Sequence, residues 1–193
     1  MSTGTHLFWI TSRAAGTAAL VTASLSVAFG ILLSRRRASV EMSFGDLRAI
    51  HEALSLMTLG LIGLHGAALL GDSFLRPGLT GIAIPFTGAY RTTWTAFGII
   101  GGYGLAALGL SYYWRNRIGL RRWRQMHRFT ALFWLLAVVH SLGSGSDART
   151  AWFLLIAGLA VVPAAILFVG RVGRGLGRVL DLPRAKSPLR EAP

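Results

Sequence analysis

The sequence predicts an all-α fold, a polytopic membrane helix bundle of about five transmembrane helices. Its 193 residues are 53% hydrophobic and only 14% charged, whereas soluble domains carry about 25% charged residues. The apolar residues also form five long blocks that are almost free of charge. These blocks cover residues 14–34, 53–71, 92–114, 129–146 and 150–170. Four of them exceed about 18 residues, the length that indicates a membrane span.

Each block predicts one helix. The predicted spans cover about residues 9–34, 48–71, 92–114, 122–142 and 150–170. We expect the first span to be retained rather than cleaved as a signal peptide, because positive charge follows its apolar run and does not precede it. Alanine and glycine recur along this first span, which suits close packing against other helices. The apolar piece "IAIPF" after the second span is too short to cross and suits the membrane interface.

The positive charge predicts the orientation of the chain. Of the 20 Lys and Arg residues, 16 fall in residues 35–48, 115–128 and 171–193. The positive-inside rule therefore predicts an N-out, C-in protein of the cytoplasmic membrane, with residues 1–8 external and the basic tail 171–193 cytoplasmic. The net charge of +13 then reflects topology and contact with membrane lipid, so no nucleic-acid partner is expected.

Four of the five histidines form two pairs within the predicted spans. His51 and His65 lie 14 residues apart on the second span, and His127 and His140 lie 13 apart on the fourth. Both spans run in the same direction, and each spacing corresponds to about 20 Å along the helix axis. The pattern therefore brings His51 to the depth of His127 and, nearer the outer face, His65 to the depth of His140. His6 is expected to be solvated.

The two histidines of the second span lie on one face of their helix, but those of the fourth span do not. At about 100° per residue, 14 steps return His65 to the helix face of His51. Thirteen steps leave His140 about 140° away from His127 on a straight helix. The fourth span therefore predicts a kink, a π-bulge or a frayed outer end near the segment "HSLGSG".

Two separated histidine pairs favour haem over other metal centres. Zinc requires about four ligands at one point, whereas haem iron needs only two axial ligands besides its own ring. The chain has no cysteine, which excludes thiolate sites and covalent c-type attachment. The interpretation is a cytochrome with two bis-histidine b-type haems. Two alternatives remain open: a single-haem cytochrome subunit of a redox complex, and a non-redox transporter or scaffold with structural histidines.

The segments "HEALSLMTLGLIGLH" and "WRQMHRFTALFWLLAVVH" resemble the ferric reductase-like transmembrane domain. Ferric reductases, NADPH oxidases and the haem subunit of a bacterial methionine sulfoxide reductase system share this domain. The resemblance covers about residues 8–170, and we take 9–170 as the haem-binding domain. It implies an inner haem on His51 and His127, an outer haem on His65 and His140, and electron flow outward from a cytoplasmic donor. It further implies that Arg13, in "ITSRAAG", lies near the outer haem and its acceptor pocket.

The sequence departs from this family at two points. The flavin and NADPH domain of full-length ferric reductases has no counterpart in these residues. We therefore expect the electron-transfer subunit of an oxidoreductase, served by a separate flavoprotein or another redox partner that supplies any flavin. Superoxide-forming oxidases carry another histidine one turn beyond the outer ligand, where this chain has Leu69. Superoxide production is thus not expected.

Arginines are expected beside both haems, because haem propionates are anionic. Arg48, Arg124 and Arg128 lie within one turn of the inner ligands, and Arg91 is expected near the outer haem with Arg13. Lipid phosphates explain each of these arginines equally well. Phe133 and Trp134 fall midway between the two histidines of the fourth span, where helix packing explains them better than electron transfer.

Overall fold

The computed structural model describes residues 3–34 and 43–180, and within these ranges it contains helices and no strand. The elements in chain order are α1 (Thr3–Ser34), α2 (Phe44–Leu70), α3 (Gly78–Ala83), α4 (Thr92–Leu110), a 3₁₀ turn (Ser111–Trp114), α5 (Arg115–Ile118), α6 (Leu120–His127), α7 (Thr130–Ser144) and α8 (Ala151–Leu180). The predicted all-α class is confirmed. The predicted basic segment at residues 35–42 and the tail beyond Leu180 lie outside the described residues.

Four stretches of helix are long and apolar enough to cross a membrane. They are His6–Ser34, Phe44–Leu70, Thr92–Ile118 and Ala151–Gly175. The predicted fourth span is the exception, because a break divides it into α6 and α7, and each piece is shorter than the roughly 20 residues of a span. The protein is thus a multi-pass membrane protein, and in the described part of the chain four continuous helices are able to span, while the remaining predicted span is formed by α6 and α7 together.

Small residues face the interior of the bundle and large apolar residues face outward. α1 packs against α2, α7 and α8, and α4 packs against α7. On α1, Ala15, Ala19 and Ala23 are buried on successive turns, as expected from the small residues of the first span. On α8, the large side chains spaced three and four residues apart are exposed, as suits contact with lipid. They are Leu155, Leu159, Val162, Ile166 and Val169.

Trp134 is the largest fully buried side chain in the described part of the chain. It packs between Ala23 of α1 and Ala164 of α8. Its indole N–H donates to Ser24 Oγ at 3.0 Å, which satisfies the one polar atom of the buried ring. The neighbouring Phe133 ring lies against Gly104 of α4, where a Cβ atom would collide with it. Both aromatics therefore serve helix packing, as the sequence favoured.

Several helix boundaries differ from the prediction. α1 begins at Thr3, six residues before the predicted start of the first span, and α4 ends at Leu110, four residues before the predicted end. α2 begins at Phe44, four residues early, because Ser43 caps it and accepts a hydrogen bond from the Asp46 amide at 3.1 Å. α8 continues to Leu180, ten residues beyond the predicted span, so the first part of the predicted tail is helical. The short piece "IAIPF" straddles the end of α3 and the turn that follows it.

Candidate haem site between the helices

The structure brings four histidines together as two pairs. His51 faces His127 with 6.2 Å between ring centroids and 89° between ring planes. His65 faces His140 with 6.3 Å between centroids and 72° between planes. We call these the first pair and the second pair. Sequence spacing predicted this partnership, whereas metal ligation by the rings stays a prediction.

The two α2 histidines are held by main-chain carbonyls of α1. His51 Nδ1 lies 2.9 Å from the carbonyl oxygen of Ser26, and His65 Nδ1 lies 2.8 Å from that of Ser12. Ser12 and Ser26 are 14 residues apart, as His51 and His65 are. Antiparallel packing of α1 on α2 thus repeats one arrangement at two depths.

Main-chain carbonyls of α4 hold the other two histidines in the same way. His127 Nδ1 lies 3.3 Å from the carbonyl oxygen of Leu108, and His140 Nδ1 lies 2.9 Å from that of Trp94. A carbonyl only accepts, so each ring carries its proton on Nδ1 and keeps the lone pair of Nε2 for another partner. This is the tautomer that a metal ligated through Nε2 requires.

Three of the four rings rest on glycines of the supporting helices. A Cβ atom at Gly16 would lie 3.0 Å from the His65 ring, and one at Gly30 would lie 3.0 Å from the His51 ring. A Cβ atom at Gly98 would lie 2.5 Å from the His140 ring, closer than real side chains approach. The fourth ring, His127, is instead stacked on Trp123 with centroids 4.9 Å apart. These glycines let the supporting helices approach closely enough to reach Nδ1.

A break directly after His127 reconciles the 13-residue spacing with the 14-residue one. The Phe129 amide bonds the Met126 carbonyl at 3.0 Å, and the Leu132 amide bonds the Phe129 carbonyl at 2.9 Å, so the chain tightens to three-residue turns here. Such turns rise about 2.0 Å per residue and rotate about 120°. With three residues in this conformation and ten in α-helix, 13 residues extend about 21 Å, the length of 14 α-helical residues, and the angular mismatch is reduced.

The predicted irregularity is therefore present but lies elsewhere. The sequence pointed to the far end near "HSLGSG", yet α7 stays helical through His140 to Ser144. Thr130 stabilises the chain at the break, because its hydroxyl donates to the His127 carbonyl at 2.6 Å. That bond satisfies a main-chain acceptor that the broken helix leaves without its usual partner.

A cavity of about 710 Å³ surrounds the first pair, lined by His51, His127 and apolar residues of α1, α2 and α4. Five arginines line it: Arg48, Arg115, Arg124, Arg128 and Arg171. The prediction named three of them and missed Arg115 and Arg171. Arg48 donates to the Tyr112 hydroxyl, which directs its guanidinium along the wall of the cavity. The volume is within the range of about 300–1,000 Å³ for small-molecule sites.

The two arginines expected at the second pair have partners of their own. Arg13 forms an ion pair with Asp147, with Nε 2.6 Å from Oδ2, and covers the Trp9 ring at 3.9 Å. Arg91 donates to the Gly143 carbonyl and lines a separate pocket of about 650 Å³ with Trp94 and Arg149. Both arginines thus lie near the second pair, but the hydrogen bonds of their side chains go to other groups.

A sequence model of the family described as ferric reductase like transmembrane component matches residues 15–138, well over half of the chain. The chain belongs to this family. Searches of curated proteins and of solved structures found no significant match. Membership in the ferric reductase like family indicates a redox or electron-transfer role in the membrane. The matched range includes His51, His65 and His127, and ends two residues before His140.

The arrangement in this ferric reductase like protein differs from a polynuclear or zinc centre. Within residues 3–34 and 43–180, no group of three or more His, Asp or Glu side chains could hold a metal ion. The histidines converge two at a time, as an axially ligated cofactor requires.

The sequence did not lead us to the residues that support the histidine rings. Ser12 and Gly16 form a Ser-x₃-Gly step on α1, and Ser26 and Gly30 repeat it 14 residues later. The recurrence matches the histidine spacing on α2 and was the one signal in the sequence that could have revealed these residues. On α4, Gly98 likewise lies four residues after Trp94, the residue whose carbonyl accepts from His140.

Proposed function

We propose that this protein is a b-type cytochrome subunit that carries electrons across the membrane through two bis-histidine haems. One haem is held by His51 and His127, and the other by His65 and His140. The observation that carries the proposal is the pairing itself, with 6.2 and 6.3 Å between ring centroids and Nδ1 of every ring engaged. When bound, haem supplies reversible one-electron chemistry at iron.

The ring separations fit two imidazoles on one metal ion. If a metal ion were held between two facing imidazoles, with bonds of about 2.0 Å and each ring centre about 1.1 Å behind its nitrogen, the ring centroids would lie about 6.2 Å apart. Both pairs match this value. Rings that merely packed together would have no reason to repeat it at two depths with the same tautomer.

The arginine-lined cavity suits the acidic edge of the first haem. Arg48, Arg124 and Arg128 would bind its propionates, which pair with guanidinium groups by charge-assisted hydrogen bonds. Trp123 holds His127 in its stacked orientation, and Gly30 leaves room for the His51 ring. Apolar side chains of the cavity, such as Leu59 and Leu105, would limit the access of water to the two histidines.

The family relationship supports a redox partner such as a flavoprotein. We propose that this partner donates electrons at the arginine-rich end, which the positive-inside rule assigns to the cytoplasm. Electrons would then leave from the second pair at the opposite face. The N-terminus would be external and the chain would lie in the cytoplasmic membrane.

A single-haem cytochrome is the second candidate. The difference between the two sites favours it, because the large cavity is lined by the first pair only. The pocket at the other end is lined by residues 91–94 and 142–149 and does not include His65 or His140. In this version the first pair holds haem and the second pair is structural.

Haem content of purified protein tests both candidates. We expect about two b haems per chain by the pyridine haemochrome assay, one of which is lost in His65→Ala. The matched control is His6→Ala, because His6 is exposed and should leave both haems in place. One haem in the wild type that survives His65→Ala would establish the single-haem version, and a haem-free protein from haem-replete cells would contradict both.

A further inference from the structure

We propose that the hydroxyl groups of Ser12 and Ser26 tune the two α2 histidines, so that each haem would be held by one histidine with two acceptors at Nδ1 and one histidine with a single acceptor. This proposal rests on the proposed function above. Ser12 and Ser26 are positioning residues, because they are argued to act through the histidine rings that their hydroxyls contact. Both side chains are buried, 3% and 7% exposed, so water does not compete for them.

Each hydroxyl is a second partner for a proton already shared with a carbonyl. Ser26 Oγ lies 3.1 Å from His51 Nδ1, and Ser12 Oγ lies 3.0 Å from His65 Nδ1. The carbonyls of the same serines lie at 2.9 and 2.8 Å. Each Nδ1–H is therefore directed between the carbonyl and the hydroxyl of one serine.

Neighbouring hydrogen bonds fix the direction of the Ser26 contact. The Ser55 hydroxyl donates to the His51 carbonyl at 2.7 Å, which uses its only proton. Ser26 Oγ lies 2.8 Å from Ser55 Oγ, so Ser26 is the donor in that contact. With its own proton committed to Ser55, Ser26 Oγ faces His51 as an acceptor.

The same direction holds for Ser12. Its hydroxyl donates to the His65 carbonyl at 3.4 Å, which leaves its oxygen lone pairs for His65 Nδ1. This donating bond is longer than that of Ser55, and no intermediate hydroxyl takes part. The serine contact at His65 is thus simpler than the one at His51.

The other two histidines have weaker support. The hydrogen bonds described for His127 and His140 involve one carbonyl each, from Leu108 at 3.3 Å and Trp94 at 2.9 Å. Acceptors on Nδ1–H raise the basicity of the ligating nitrogen. A more basic ligand stabilises the oxidised iron, so the serine hydroxyls should lower the midpoint potential of each haem.

Optical redox titration of the haem-loaded protein in membranes tests the proposal. We expect Ser26→Ala to raise the midpoint potential of one haem component and Ser12→Ala to raise that of the other. The matched control is Ser24→Ala, because Ser24 is a buried α1 serine that bonds Trp134 and Leu20 instead of a histidine. It should move neither component. Ser26→Thr, which keeps the hydroxyl, should retain the wild-type potential.

Each outcome decides the matter. Unchanged potentials in both serine variants would overturn the proposal, as would a shift of the same component by both or an equal shift in Ser24→Ala. If Ser26→Ala loses haem, retention in Ser26→Thr supports the hydroxyl contact and loss in both variants overturns it. Absence of haem in the wild type would count against the proposed function instead, so the two failures are distinguishable.

Discussion

Gly98 shows how a residue without a side chain determines the position of a histidine ring. Its Cα faces the His140 ring, and a Cβ atom there would lie 2.5 Å from Nδ1. The ring would have to move, which would also lengthen its bond to the Trp94 carbonyl. Replacement of Gly98 by alanine should therefore displace the His140 ring without destabilising α4, since alanine is favoured over glycine within a helix by about 1 kcal/mol.

We expect Gly98→Ala to lose the haem of the second pair and keep that of the first. The haem content should fall by about half, and the remaining optical spectrum should match that of His140→Ala. Gly102→Ala, on the same helix, is the control, because its Cβ would meet only Ile62 Cγ2 at 3.4 Å. A full complement of haem in Gly98→Ala would mean that the His140 ring does not hold iron in this position.

At the scale of the element, the break between α6 and α7 sets the register of the two ligands. α7 is anchored in the core by Trp134, whereas α6 contains no buried residue. Any change in the number of residues between the two ligands should therefore displace α6 and leave α7 in place.

One alanine inserted between Arg128 and Phe129 should release the haem of the first pair. The insertion rotates α6 by about 100° relative to α7 and turns His127 away from His51. About one haem should remain, with the spectrum of His127→Ala. An alanine inserted between Ala89 and Tyr90, in the loop before α4, is the control. Two haems retained after the first insertion would show that the tightened turn does not set the register.

The elements themselves followed closely from the sequence, and the exceptions have physical causes. Blocks of apolar residues located α1, α2, α4 and α8, because a helix that faces lipid satisfies its own backbone hydrogen bonds. The angular mismatch of His127 and His140 predicted an irregularity on their helix. Its position could not be predicted, because it involves local hydrogen bonds such as that from Thr130 to the His127 carbonyl.

The two histidine pairs could be predicted from the regular geometry of a helix, but the carbonyls that hold the histidine rings could not. Depth and face follow from residue number along a helix, so spacing alone matched His51 with His127. The supporting carbonyls of Trp94 and Leu108 depend on which helix packs beside which, and a carbonyl has no residue type by which to recognise it. The partner of Arg13, Asp147, likewise lies 134 residues away in the chain.

For the whole molecule, the absence of cysteine in the sequence gives a direct test of orientation. Ser146, after α7, and Arg117, before α6, are exposed at opposite ends of the bundle. With the N-terminus outside, a membrane-impermeant maleimide should label Ser146→Cys in intact cells and Arg117→Cys only after lysis. The unmodified chain is the control and should remain unlabelled. The reverse pattern would place the arginine-lined cavity outside and invert the proposed path of electrons.

The acceptors that hold His127 and His140 belong to the main chain, and this shapes what mutagenesis can detect. Replacing Leu108 changes its side chain but leaves the carbonyl that meets His127. An alanine scan of α4 would therefore not detect the hydrogen bond from His127 to the Leu108 carbonyl, whereas alanine at Gly98 would collide with the His140 ring. A position such as Leu108 can thus vary in side chain and still hold the histidine ring through its carbonyl, provided that the helix keeps its place.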